Sequence, residues 1–358
     1  MKPFEISIPQ SDLDDLHHRL DQTRWPNDPA GASWAQGTPQ RRLRELVDHW
    51  RNFDWREQER RLNKIPQFLT EIDGAQVHFL HVRSAKENAE PLLLTHGWPA
   101  TGFAFEEMIE PLARDFHLVI PSVPGFGFSG PTQELGWTIP RVADVFAELM
   151  RRLGYQSYLA HGYDFGAKLT RELGMRDEVK AVHVNQIFSA GVTQETADVE
   201  VEAERRSVEK AFRYEYEQFG YVSMQSTRPQ SVAHALTDSP VAQLEWIEWA
   251  FHTWSDPEIG VPLDALLTNV SIFWFTRTAG SSARYYQEGD ETWGELEPPS
   301  ATPTSVAVFP HDVGVPIRRM AERNHTVVRW TEMARGGHFA ALEVPELMVA
   351  ELREAFLL

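Results

Sequence analysis

Residues 157–170 read Ser-Tyr-Leu-Ala-His-Gly-Tyr-Asp-Phe-Gly-Ala-Lys-Leu-Thr, and this stretch decides the fold. A short apolar run, Tyr158 to Ala160, gives way to Gly162-Tyr163-Asp164-Phe165-Gly166-Ala167 and then to helical spacing. That is the pattern of a strand, a tight turn and a helix. Small residues two before and two after the apex are what a nucleophile elbow requires, because strand and helix backbones approach closely there and a Cβ would collide. The apex is Asp164. A carboxylate that attacks carbon forms an alkyl ester, where a Ser would form an acyl-enzyme, so the pattern predicts an alkylating hydrolase. Alone, Gly-x-Asp-x-Gly is short, and a loop with a capping Asp reads the same way.

Outward from the elbow the chain alternates. Phe68, Thr70 and Ile72, the turn Asp73-Gly74, then Val77, Phe79 and His81 follow a period of two and predict a β-hairpin. Leu92 to Leu94 predict a buried strand ending in Thr95-His96-Gly97-Trp98-Pro99, with Trp98-Pro99 a candidate cis bond. A helix over 105–115, a strand over 117–123, the loop Pro124 to Gly130 and a helix over 138–153 lead into the elbow. A strand over 179–187 follows it. This order predicts an α/β fold, a mostly parallel sheet with helices on both faces.

Between 188 and 299 only helical patterns remain, with Trp246, Trp249, Trp254, Phe273, Trp274 and Phe275 as apolar mass. Strand patterns return at 304–309 and 326–331, and a last helix covers 345–356. The expected division is an N-terminal extension (1–66), hydrolase core (67–187), helical lid (188–299) and the rest of the core (300–358). In the extension, Ile6 and Ile8 suggest a strand, Ser11 a helix N-cap, and Pro39 to Leu62 a helical stretch. Trp25, Trp50 and Trp55 are expected to dock it on the rest. His17 and His18 with nearby acids read as a solvated helix face before a metal site.

Composition narrows the function. At 358 residues with 42% hydrophobic content the chain can bury a large core. A net charge of -18 leaves no basic footprint for nucleic acid or anionic lipid. With no cysteine, disulfides, thiolate metal sites and Cys nucleophiles are excluded. The first 25 residues hold no apolar leader core, and no 18-residue apolar span occurs. The expectation is a soluble, cytoplasmic protein; a homodimer is open.

An Asp nucleophile needs a base to break its ester. Among 14 histidines, His338 stands in Arg335-Gly336-Gly337-His338-Phe339, after the last strand and before the last helix. In the hydrolase order of nucleophile, acid and His, the base belongs there. The orienting acid should follow the preceding strand, which selects Asp312, with Glu332 and Asp177 as alternatives. The backbone N–H groups of Trp98 and Phe165 converge as an oxyanion hole. Trp98, Phe165 and Tyr163 are expected to line the substrate pocket.

With these pieces in place the chain resembles the epoxide hydrolases of the α/β-hydrolase superfamily, in the microsomal-type group with an N-terminal extension. The likeness runs through Pro3-Phe4, Trp25-Pro26, Pro66 to Phe68, His96 to Pro99, Pro121 to Gly130, the elbow, Gln225 to Pro229, Leu236 to Val241, Ser281 to Tyr286 and Arg335 to Ala341. A counterpart of the membrane anchor of the mammalian microsomal enzyme is not expected. The resemblance implies an epoxide substrate, no cofactor and no metal. It also implies two lid tyrosines that bind the epoxide oxygen and donate a proton, falling at Tyr221 and Tyr286, with Tyr285 the rival to Tyr286. The family's Gly-Gly-Asp-Trp becomes Gly162-Tyr163-Asp164-Phe165, so the pocket loses an indole. The nearest rival reaction is that of a haloalkane or haloacid dehalogenase, whose halide needs N–H side chains that Phe165 lacks. A catalytically silent binding protein is the alternative of another class. The aromatic lid hints at a bulky apolar or aromatic epoxide; detoxification and natural-product biosynthesis are both open.

Overall fold

The structure is a computed structural model, and it describes residues 1–187, 194–289 and 298–357. Among the described residues nine strands form one sheet: β1 (Lys2–Pro3), β2 (Gln67–Ile72), β3 (Ala75–Val82), β4 (Glu90–Thr95), β5 (Phe116–Pro121), β6 (Tyr158–Gly162), β7 (Val179–Val184), β8 (Ser300–Val308) and β9 (His325–Glu332). Their order is β1-β2-β3-β5-β4-β6-β7-β8-β9. The pairs from β1 to β5 are antiparallel, and those from β5 through β9 are parallel. Chain order reverses between β4 and β6, and ligands of open α/β sheets bind at the carboxyl ends of strands at such a switch point. Thr95 pairs with Gly162 across it, so the segments that leave β4 and β6 emerge side by side.

The hairpin forms as the pattern predicts. Asp73 and Gly74 both take positive φ, 52° and 71°, the conformation of a two-residue turn matched to strand twist. Helices α4 (Glu106–Leu112), α5 (Ile139–Arg152) and α6 (Phe165–Leu173) alternate with the strands. Thr138 caps α5 by accepting from the Arg141 N–H, and Val142, Val145, Phe146 and Leu149 bury one face.

Three local expectations differ. The opening strand is Lys2–Pro3, not Ile6 to Ile8; Ile6 is buried, but its N–H bonds to Asn63 Oδ1 at 2.8 Å instead of a strand. Ser11 does not cap the first helix, α1 (Gln10–Asp21), which begins behind Pro9. The stretch from Pro39 to Leu62 is two helices, α2 (Gln40–Arg51) and α3 (Trp55–Leu62), because Asp54 accepts from the Glu57 N–H and starts a new helix.

Between β7 and β8 the described residues hold α7 (Glu202–Arg213), a π turn (Tyr214–Gln218), α8 (Gly220–Thr227), α9 (Pro229–Asp238), α10 (Pro240–Trp254), α11 (Leu263–Thr276) and α12 (Ala279–Glu288). Residues 188–193 and 290–297 of the expected lid lie outside the described residues. Helices α1 and α2 pack on α10. Trp50 Nε1 donates to Ser271 Oγ at 2.8 Å, Arg42 pairs with the buried Glu248 at 3.0 Å, and Trp55 packs on Phe275. Trp25 is half-buried beneath the Arg44 guanidinium at 4.0 Å. The chain closes with α13 (Arg318–Ala321), α14 (Ala340–Glu343) and α15 (Pro345–Phe356). Among the described residues no helix is long and apolar enough to cross a membrane, and no group of three metal-ligating side chains occurs. His17 and His18 are exposed.

Candidate active site

The elbow is built by close approach. A Cβ on Gly162 would lie 2.1 Å from the Gly166 carbonyl oxygen, and one on Gly166 would lie 2.1 Å from that of Thr95. No side chain fits at either position. Asp164 itself takes φ 55° and ψ -131°, a sparsely populated conformation for a non-glycine residue that clusters at functional sites. The turn lifts its carboxylate off the end of β6 toward the residues after β4. There the Trp98 N–H donates to Asp164 Oδ1 at 2.9 Å, and the Phe165 N–H also bonds to the carboxylate. The bond between Trp98 and Pro99 is cis.

His338 follows β9 and Asp312 follows β8. Nδ1 of His338 donates to Asp312 Oδ1 at 2.8 Å, and its Nε2 lies 3.5 Å from Asp164 Oδ2. Both His338 and Asp312 are buried. Burial favours the neutral imidazole, but the Asp312, Asp164 and Glu343 carboxylates outweigh it and raise the His338 pKa above its usual value. Burial also raises Asp164; His338 and the two backbone N–H groups act against that rise. Glu332 lies in the final residue of β9 and Asp177 before β7, so neither follows β8 as Asp312 does.

The tyrosines close the other side. Tyr221 stacks on Trp98 with ring centroids 5.2 Å apart, and Tyr286 stands edge-on to Trp98 at 5.6 Å and to Phe165 at 4.8 Å. The two phenols share a hydrogen bond. Burial raises both well above the ordinary tyrosine value, so both stay protonated at neutral pH. Tyr285 points to the neighbouring aromatics, edge-on to Phe126 at 5.8 Å and Phe165 at 5.0 Å. Tyr163 is buried and packs edge-on to His338 at 6.0 Å and Phe105 at 5.8 Å.

Several residues that sequence reasoning did not select join this cluster. Gln186, two positions beyond β7, accepts from the Asp164 N–H at 3.1 Å and donates from Nε2 to Asp312 Oδ1 at 2.5 Å. The Val313 N–H adds a third donor to that oxygen at 2.7 Å. Lys210 of α7 donates to the carbonyls of Pro310 and Asp312 at 2.6 and 2.7 Å, tying the acid's loop to the helical insertion. Trp254 packs on Tyr221 at 5.0 Å and His338 at 5.2 Å, and its carbonyl accepts from the His338 N–H at 2.9 Å. Glu343 accepts from the Asp256 N–H at 2.6 Å and the Phe339 N–H at 2.9 Å, and burial lifts its pKa to about 7. Position at a strand end was the available signal for Gln186; Lys210 and Glu343 carried none.

Residues 1–105 match the family model described as Epoxide hydrolase N terminus, and residues 90–246 match that of the alpha/beta hydrolase fold. The chain is 41% identical to the "Putative epoxide hydrolase" of Stigmatella aurantiaca, over 99% of this chain and 84% of the relative. It is 31% identical to Epoxide hydrolase 1 of Sus scrofa, over 99% of this chain and 88% of that protein. The solved structure of Aspergillus niger epoxide hydrolase superposes with a TM-score of 0.90 at 31% identity, covering 99% of this chain and 95% of that one. Full-length similarity of this kind, on an elbow that carries an Asp, places the chain in the epoxide hydrolase family.

Proposed function

We propose that the hydrolysis of an epoxide to a vicinal diol runs here through a covalent ester on Asp164. The observation that carries this reading is the carboxylate of Asp164 held between two N–H donors and the imidazole of His338. The donors orient the carboxylate, which leaves it directed at a carbon of the bound epoxide. As the Asp164 oxygen–carbon bond forms and the ring carbon–oxygen bond breaks, Tyr221 and Tyr286 hold the epoxide oxygen and supply its proton. A strained ether leaves poorly as a free alkoxide, and two phenols kept protonated by burial both polarise and protonate it.

His338, oriented by Asp312, then takes a proton from water. The hydroxide adds to the ester carbonyl, the Trp98 and Phe165 N–H groups receive the developing oxyanion, and the alcohol leaves with the proton from His338. The pocket wall of Trp98, Phe165, Tyr221, Tyr286 and Trp254 supports a bulky apolar or aromatic epoxide. The division into extension, core and helical lid at 66, 187 and 299 goes with this reading, the insertion covering the nucleophile. Dehalogenation is the weaker reading, since Phe165 brings no side-chain N–H for a halide.

Single turnover in oxygen-18 water tests the route. Label is expected in the Asp164 carboxylate, and Asp164→Ala is expected to form neither ester nor diol. Diol formation at wild-type rate by that variant would overturn the mechanism.

A further inference from the structure

Tyr214 opens the π turn and stands seven residues before Tyr221. On a regular α-helix residues seven apart share a face but lie about 10 Å apart along the axis. Here their hydroxyl oxygens meet at 2.6 Å. Single π turns are rare and recur at functional sites. Both rings are packed in place: Tyr214 edge-on to Phe219 at 5.8 Å, and Tyr221 between Trp98 at 5.2 Å and Trp254 at 5.0 Å. Burial keeps the Tyr214 phenol protonated, well above its ordinary value.

A phenol carries one proton and can accept on its lone pairs. Once Tyr221 turns its proton to the epoxide oxygen, its own oxygen is left to accept; Tyr286, its other hydroxyl partner, turns its proton to the same epoxide oxygen, and the hydroxyl left to donate is that of Tyr214, at 2.6 Å. We propose that Tyr214 is a positioning residue for ring opening: it donates to Tyr221, aims the Tyr221 proton at the epoxide oxygen, and stabilises the phenolate left when that proton moves. The inference rests on the reading of Tyr221 as a proton donor and goes beyond it by naming what sets that donor's direction.

The step balances within the enzyme. The ring carbon–oxygen electron pair goes to the epoxide oxygen, the Tyr221 O–H bond breaks, and its proton completes the new hydroxyl. The water consumed in ester hydrolysis returns both protons, one to the departing alcohol through His338 and one to the phenolate. Tyr214 touches no substrate atom.

Single-turnover kinetics of Tyr214→Phe, Tyr221→Phe and the double variant, following ester formation and ester hydrolysis separately, test the proposal. Tyr214→Phe keeps the ring that packs on Phe219 and removes only the hydroxyl. It should slow ester formation about 10- to 100-fold, the worth of a hydrogen bond to a charged group, and leave ester hydrolysis unchanged. In the Tyr221→Phe background the same substitution should have no effect, because Tyr214 acts only through Tyr221. Equal slowing in both backgrounds would reduce Tyr214 to packing and overturn the inference. Slowing by Tyr221→Phe with none by Tyr214→Phe would overturn it and leave the proton-donor reading standing. No slowing by Tyr221→Phe would overturn both.

Discussion

Replacing Gln186 by Met keeps the length of the side chain and removes its three polar contacts, with the Asp164 N–H, with Asp312 Oδ1 and, at 3.1 Å, with His338 Nδ1. The amide of Asp164 loses its acceptor at 3.1 Å, and Asp312 Oδ1 loses a donor at 2.5 Å. An unpaired buried amide costs about 1–3 kcal/mol and a bond to a charged group is worth about 1.5–3 kcal/mol. Stability should fall by about 2.5–6 kcal/mol, read as a lower urea midpoint at unchanged m. The second effect is electrostatic. An Asp312 oxygen that no longer shares its charge with Gln186 attracts the imidazolium more strongly, so the His338 pKa, already raised by its carboxylates, should rise further. On the proposed mechanism ester hydrolysis needs neutral His338, which is lost as pH falls through its pKa. The acid limb of that step should therefore move to higher pH. An acid limb that stays in place despite the stability loss would refute the electrostatic half of the argument. No stability loss would refute the hydrogen bonds themselves.

His338→Gln removes the base but not the nucleophile, so ester formation should persist while ester hydrolysis slows by about 100- to 10,000-fold. Mass spectrometry of the peptide containing Asp164 should then find the alkyl adduct. Glu343 titrates near pH 7 in the fold against 4.5 for the free side chain. Its favoured protonated form stabilises the fold at low pH, and that contribution is lost as pH rises through about 7. Measured against Glu343→Gln, which does not titrate, the wild type should lose about 3 kcal/mol of stability between about pH 4.5 and 7.5. Denaturant titrations at a series of pH values read it. Gly166→Ala drives a Cβ to within 2.1 Å of the Thr95 carbonyl and should cost about 3 kcal/mol or more, seen as a lowered melting temperature or a failure to fold.

What the sequence makes legible follows from where the physics is local. Two glycines spaced around Asp164 announce an elbow because close backbone approach is a constraint of neighbours. Asp73-Gly74 announces a hairpin for the same reason, and Pro345 marks the start of the last helix. Ile6 and Ile8 mislead because burial of Ile6 comes from a loop held by Asn63, so alternation arises without a strand. Among the candidate site residues, Asp164, Asp312 and His338 are legible by chain order at strand ends, and the structure brings them within hydrogen-bond or ion-pair range. Tyr221 and Tyr286 came only through resemblance. Gln186, Lys210 and Glu343 act through bonds to distant segments, and Tyr214 through a π turn. Neither leaves a period or a motif.

The placement of the first two helices against α10 matters for anyone who shortens this chain. Cutting before β2 would strip Arg42 from the buried Glu248 and Trp50 from Ser271, and would uncover the face of α10 on which α1 and α2 rest. An unpartnered carboxylate and a newly wetted apolar surface would then lie on the back of the helix that ends in Trp254, whose carbonyl accepts from the His338 N–H. The opening residues thus act as a foundation wall beneath the helical insertion, and a chain trimmed from the front is expected to lose stability along with that support.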